Sequence, residues 1–421
     1  MASKLEDGKS AAQLRQERET RIMDAIRLKR TDRVPIICGM GYFPAKNLGI
    51  PCSAAYYDYP AWFNAYKQTL TDFHADIIFP QNFTPGRALE LLALHQTRWP
   101  GYGGMDPYQG HQAIEVNFMK ADEYDAFLAD PSDYLFRTTL SRSSDNLAGI
   151  ARLPRLSDIS GGIGAQMLAR IMGEPEVAKA FETLLKAGKE FRRWRKRTDR
   201  FTKMMEERGF PQYFQGAAMP PYDMVSHSMR GMEGTMQDMF RQPDKLLAAC
   251  DKILEMTLAR PLTRPSVLGH RRYFMTNTRG SDDFLSNKQF ERFYWPTFRK
   301  LVTGLVERGI TPCIFFEGNF TSKLEYLKQF PKGSVLVRLD TTDIFKAKEV
   351  LRDHLCIQGN VPSSLLQVGT VEQVKEHCRK LIDVVGEGGG FIISPRSSTD
   401  EVKPENLKAM IDFTHAYGVY S

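Results

Sequence analysis

Eight short apolar runs, each followed by a polar or glycine-bearing tip and then a helical stretch, constrain this chain more than any other feature. They are VPIIC (34–38), DIIF (76–79), QYFQ (212–215), RYFMT (272–276), PCIFF (312–316), VLVRL (335–339), LCIQ (355–358) and FIIS (391–394). Most are apolar at consecutive positions, so each strand needs cover on both faces. A parallel sheet wrapped by helices meets that need. The intervening segments carry helix punctuation. FERFYWPTFRKLVTGLVERG ends on Gly309, and VEQVKEHCRKLIDVVGEGGG precedes the last run. Eight such units in 421 residues, 42% of them hydrophobic, predict an α/β fold, a (β/α)8 TIM-type barrel with an N-terminal helix and a helical insertion.

The expected organisation is a disordered polar tail over 1–20 and one barrel over 21–421. QLRQERETRIMDAIRLK reads as an amphipathic helix with Ile22, Ile26 and Leu28 on or near one stripe. Residues 94–117 look like an excursion into β structure. Residues 155–211 look like inserted helices, expected beside or over the barrel mouth, with the basic run KEFRRWRKRTDRF (189–201) turned to solvent or to an acidic partner.

Charge and cysteine usage exclude several function classes. The formal charge of +7, from 57 basic and 50 acidic residues, is thin over this length. The basic run continues as KMMEERGF and reads as a solvated helix face, so nucleic acid is not expected as a partner. No stretch approaches the roughly 20 apolar residues that cross a bilayer, and the first twenty residues hold no apolar signal region. Six cysteines without a CxxC pair predict free thiols and a reducing cytoplasm.

Barrel chemistry sits at the C-terminal ends of the strands. GEGGGF (386–391) follows a helix and precedes a strand, the reverse of a phosphate-cradling loop, and reads as a turn. Nucleophile-elbow, P-loop and HExxH patterns are absent from the sequence. In CIFFEGNF (313–320), alternation puts Cys313, Phe315 and Glu317 on one face. Glu317 therefore belongs at the barrel rim, where an ionisable group either bridges to Arg279 or Arg338 or meets a substrate. The other polar tips hold Gln81 and Asn82, Tyr222 to His227, Arg279 to Asp283, Asn319, Asp340 and Ser397.

The segment IQGNVPSSLLQVGTVEQVKEHCRKLIDVVGEGGGFIISPRSSTDEVKPENLKAMIDFTHAYG resembles the closing segment of the uroporphyrinogen decarboxylase superfamily. The resemblance extends through LSNKQFERFYWPTFRKL and PPYDMVSHSMRGMEGTMQDMFRQPDKLL and back to RTDRVPI. It implies a (β/α)8 barrel. In the decarboxylase branch an aspartate follows the second strand and an arginine-rich segment binds carboxylates. Here Gln81 stands in place of the aspartate, the arginine cluster is missing, and His227 falls where decarboxylases carry tyrosine. Decarboxylation of a porphyrinogen is not expected.

The other branch moves methyl groups to or from corrinoid (cobalamin) proteins. Its zinc-dependent members carry His and Cys where this chain has Phe315 and Glu317, and Cys where it has Ser397. A zinc–thiolate site is not expected, and Glu317 is the one candidate ligand for an oxygen- or nitrogen-rich metal site.

The resemblance implies a methyltransferase acting with a corrinoid-binding partner on a small apolar or aromatic methylated substrate, including demethylation. Glu317, Asp340 and His227 are the catalytic candidates. The expected substrate contacts are Gln81, Asn82, Tyr222, Arg279, Asp282, Asn319, Phe315 and Ser397. Two alternatives stand beside this: a cofactor-independent decarboxylase or lyase of a small acid, and a non-catalytic ligand-binding relative. A homodimer is compatible with either.

Overall fold

Ser10 accepts a hydrogen bond from the Gln13 backbone while the Gln13 side chain accepts from Ser10, and this capping box starts a helix at Ala11–Ile26. The computed structural model describes residues 8–79, 84–397 and 399–420. Residues 11–20, expected as tail, are therefore helical, because the cap fixes the start earlier than the apolar stripe alone suggests. Leu28, placed on that stripe, lies beyond the helix at φ 62°.

Eight parallel strands follow, numbered here in chain order: β1 Ile37–Gly39, β2 Ile77–Phe79, β3 Gly216–Ala217, β4 Arg272–Asn277, β5 Thr311–Phe316, β6 Leu336–Leu339, β7 Cys356–Gln358 and β8 Phe391–Ile392. Strands β3 to β8 form one continuous sheet in chain order, and β1 pairs with β2. The Ile36–Ile393 bridge joins β8 to β1, with Ile37 N donating to Ile393 O at 3.0 Å. The chain forms a TIM barrel. Among the described residues no ladder joins β2 to β3. Aromatic rings fill that seam, Phe79 lying 5.0 Å from Tyr213 and 6.0 Å from Phe214. Gly39 permits it, since a Cβ there would stand 2.5 Å from the Phe79 ring.

The run 212–215 was expected as the third strand, yet ladder bonding begins only where Gln215 N donates to Arg272 O. Residues 212–214 instead bend to bring Tyr213 and Phe214 side by side, 3.8 Å between ring centres. Aromatic propensity marked the right stretch but for packing rather than pairing.

Alternation along the strands fills both faces. Ile37, Ile77, Cys313, Leu336, Cys356 and Ile392 meet inside the barrel. Ile36, Ile78, Met275, Ile314, Phe316, Val337 and Ile357 pack outward on the helices. Ile22, Met23, Ala25 and Ile26 of the first helix join the inner cluster, so this helix closes the N-terminal end of the barrel. Charges fasten it. Buried Asp76 accepts from Arg21 Nη1 at 2.6 Å, from both Arg33 Nη atoms at 2.8 Å and from Ile36 N at 2.8 Å. Glu19 meets the fully buried Arg272 at 3.1 Å. Burial alone would raise the Asp76 pKa, but Arg33 and Arg21 outweigh it and hold the carboxyl below its usual range.

The inserted region holds two helices, Gly161–Met172 and Pro175–Glu206. The second packs on the outer wall, Phe201 against Tyr66 at 4.9 Å and Trp194 against Tyr59 at 6.1 Å. Its first turns pack Val177 and Ala180 on Leu147 and Ile150. It lies on the wall rather than over the mouth, because its apolar stripe matches the helix Tyr59–Asp72. Arg192, Arg193 and Arg195 are exposed. Residues 94–117 do include β structure, a two-stranded antiparallel ribbon pairing Thr97–Arg98 with Gln112–Ala113. No described helix is long and apolar enough to cross a membrane.

Asp76→Ala would strand two arginines without their common acceptor. It is expected to lower stability by about 3–5 kcal/mol, the cost of breaking a buried pair, read from the denaturant midpoint. The folded pKa lies below the unfolded value, so this stabilisation is present above about pH 4 and is lost as pH falls. The difference between wild type and variant should shrink in acid.

Candidate active site at the barrel mouth

Two layers of inward residues lead to the mouth. Cys313, Leu336 and Cys356 share the lower register, and Phe315, Arg338 and Gln358 share the next. Arg338 places its guanidinium carbon 4.3 Å from the Phe315 ring centre, and its Nη2 donates to Arg396 O at 3.2 Å. Tyr213 OH crosses the barrel to donate to Gln358 Oε1 at 2.6 Å. The Arg338 pKa is lowered by burial, with Tyr213, Asp340, Glu317 and Cys38 acting against it, yet arginine stays charged.

Glu317 emerges two residues beyond Phe315, above this floor. It is exposed, its Oε2 accepting from Thr278 Oγ1 at 3.2 Å, and among the described residues it makes no ion pair. The neighbouring phenylalanines do not enclose it. Phe316 turns outward onto Phe320 at 5.1 Å, and Phe315 is covered by Arg338. The positive φ of Gly318, 95°, aims its N–H at Asp340 Oδ2, 3.1 Å away. Glu317 and Asp340 therefore stand on adjacent strand tips, both within electrostatic reach of Arg338.

A second cluster forms at the β3 and β4 tips. Asp223, on the helix Pro221–Ser228, is buried and accepts from Arg279 N at 2.9 Å and from Tyr294 OH. Its pKa is pushed up to about 7 by burial, against the pull of these donors. His227 Nε2 lies 3.7 Å from Asp223, and burial followed by the Arg279 charge lowers the His227 pKa. Arg279 donates to Glu115 at 3.0 Å and lies over Phe284. Tyr294 reaches Asp223 from a π-helical turn, Phe290–Tyr294. Proline at 296 has no N–H to give back to residue 292, which favours this slip of the helix ladder.

The remaining candidates scatter. Asp282 is taken up by Lys323 Nζ at 2.6 Å and by Ser322. Asn319 accepts from Thr321 and shapes its own turn. Tyr222 points into the core, its OH 3.6 Å from the Met239 sulfur. Ser397 is exposed on the loop after β8. Gln81 and Asn82 lie outside the described residues.

The ribbon segment forms a strap across the mouth. At one end Tyr42 OH meets His111 Nδ1 at 3.0 Å and Ser53 N donates to Pro107 O. At the other, Met232 N donates to Glu115 at 2.6 Å. Sequence reasoning marked this strap only as an excursion into β structure and Asp223 only as part of a polar tip without a role, and it did not single out Gln358. Arg338 did carry a signal, as a charge inside an apolar strand at the same inward parity as Leu336.

The side chains around Glu317 do not assemble a zinc–thiolate site. Among the described residues no three His, Cys, Asp or Glu side chains group as a metal site, and all six cysteines are buried and unpaired. Burial pushes Cys313 up to about 12, deep below the rim.

Burial favours the uncharged form of Asp223, so its folded pKa exceeds the unfolded one and its contribution to stability falls as pH rises toward 7. Asp223→Asn cannot ionise. Its Tm relative to wild type should improve from about pH 5 to about pH 8. A constant difference would place the titration elsewhere.

Comparison with known proteins bears on the barrel that carries these residues. Residues 212–417 match the uroporphyrinogen decarboxylase (URO-D) family. Uroporphyrinogen decarboxylase of Syntrophotalea carbinolica is 25% identical over 179 residues, 42% of this chain and 50% of that protein. The enzyme of Methylococcus capsulatus is 31% identical over 115 residues, 27% of this chain and 32% of that protein. The chain thus spans half or less of the length of these curated relatives. A methyltransferase from Methanosarcina mazei has the same fold, with a TM-score of 0.58 at 16% identity, over 95% of this chain and 98% of that one. Residues 212–417, which carry β3 to β8 and every described strand tip from Asp223 to Ser397, are therefore a uroporphyrinogen decarboxylase (URO-D) family domain.

Proposed function

We propose that this protein is a methyltransferase that moves a methyl group between a small methylated compound and a corrinoid carried by a separate protein, with Glu317 as the acid. The carrying observation is the position of Glu317, an exposed carboxylate at the tip of β5 that, among the described residues, meets a hydroxyl and no cation. The fold shared with a methyltransferase along nearly the whole chain supports the same reading.

Breaking a bond from methyl to oxygen or nitrogen leaves an electron pair on the departing atom, and a proton there lowers the barrier. A reduced corrinoid supplies the nucleophile that takes the methyl group. Thr278 donates to one carboxyl oxygen of Glu317, which leaves the other to carry the proton into the mouth. Asp340 fixes the backbone beside it through Gly318 N. His227 and Arg279 flank the strap and bound the opening.

Decarboxylation or a related lyase reaction of a small acid is the second reading, favoured by the Arg338 guanidinium on the barrel floor. Arg279, the other arginine near the mouth, already pairs with Glu115. The two readings separate on products, methylated corrinoid against carbon dioxide.

The test mixes purified protein, a reduced corrinoid protein and methylated aromatics, and follows the visible spectrum of the corrinoid. Glu317→Gln should keep the fold and lose turnover by a factor of about 10²–10⁴, the usual share of a general acid. Near-wild-type turnover in the folded variant would remove Glu317 from the reaction.

A further inference from the structure

Among the described residues, three buried polar atoms on one inner wall of the barrel have no hydrogen-bond partner: Arg338 Nε, Gln358 Nε2 and Ser394 Oγ. They come from consecutive strands or their ends. Arg338 is registered beside Gln358, Gln358 beside Ile392, and Ser394 stands two residues above Ile392 on the same face. Gln358 is 1% exposed and Ser394 2%. Tyr213 takes the Gln358 carbonyl, so its amide nitrogen is the end left over. All three atoms can donate a hydrogen bond, and one belongs to a guanidinium that remains charged.

A buried donor without an acceptor is costly, and native proteins keep few of them. Three on one wall, gathered about a cation, describe the complement of an anion. A guanidinium with neighbouring amide and hydroxyl donors suits a planar carboxylate. Aromatic rings line the rest of this floor: Phe315 under Arg338, Tyr213 against Gln358, and Phe274, Phe214 and Phe79 around the seam. Glu317 and Asp340 stand above, on the side open to solvent.

From this geometry we infer that the barrel floor is a subsite for the carboxylate of a small aromatic acid, held by Arg338, Gln358 and Ser394, with the reacting end of the molecule directed up toward Glu317. The inference deepens the proposed function by naming its substrate class, and rests on that reading only for the chemistry at the reacting end. The substrate is then an aromatic acid bearing a methyl group rather than a neutral methylated compound. The carboxylate fixes which end enters first.

Binding alone tests this. Benzoate and its uncharged isostere benzamide are titrated into the full chain by calorimetry, with no corrinoid protein present. Benzoate should bind at least about tenfold more tightly than benzamide. Arg338→Gln should weaken benzoate roughly 10- to 100-fold, the scale of a lost charge-assisted hydrogen bond, and leave benzamide unchanged. If Arg338→Gln does not fold, Ser394→Ala replaces it, with the same direction expected and a smaller loss. Equal binding of the two probes to wild type, binding of neither, or an unchanged preference in the variants overturns the subsite. Such a failure leaves methyl transfer from a neutral substrate standing. Benzoate binding, together with no methyl transfer from methoxybenzoates to the reduced corrinoid protein, would instead keep the subsite and overturn the proposed function.

Discussion

Asp76 holds the architecture together. Its carboxylate binds Arg33 just before β1, Arg21 on the closing helix and the backbone of Ile36, so one buried group ties helix, first strand and second strand. Such a cluster is favourable only when every lone pair finds a donor, and here four donors converge on two oxygens. With Glu19 and Arg272 on the other side of the same helix, these contacts press Ile22 and Ile26 against the lowest inner layer. The barrel interior is thereby sealed at one end, and the register of each strand above it is set from below.

From that base the pleat dictates what faces inward. Leu336 inside makes Arg338 inside; Cys313 inside makes Phe315 and then Glu317 face the opening. A charge in the interior of β6 is unfavourable for folding and persists because the surrounding strands fix it. The mouth thus gathers unlike groups for one reason: the inner layer of a parallel barrel reaches solvent only at its C-terminal rim.

Much of this was legible in the sequence. Consecutive apolar positions gave the parallel strands, and period-two counting placed Glu317 on the rim beside the β6 tip. What counting could not reach were contacts made across long stretches of chain. Arg279 and Glu115 are 164 residues apart, and nothing local marks them as partners. Asp223 depends on a π turn that delivers Tyr294, a slip in the helix ladder that the smooth periodicity of FERFYWPTFRKL conceals. The aromatic bend at 212–214 has the composition of a strand, so only packing against Phe79 distinguishes it. CIFFEGNF sets two phenylalanines next to Glu317 in sequence, yet alternation turns one ring outward and Arg338 covers the other, so neither encloses the carboxylate.

The sealed lower end has an electrical consequence. A cation set in a cavity with low-dielectric walls and one opening cannot spread its field evenly, and the lines leave where water begins. The Arg338 charge therefore leaves the barrel chiefly along its axis, where the Glu317 and Asp340 carboxylates at the rim stand against it, so the floor and the lip of one opening carry opposite signs.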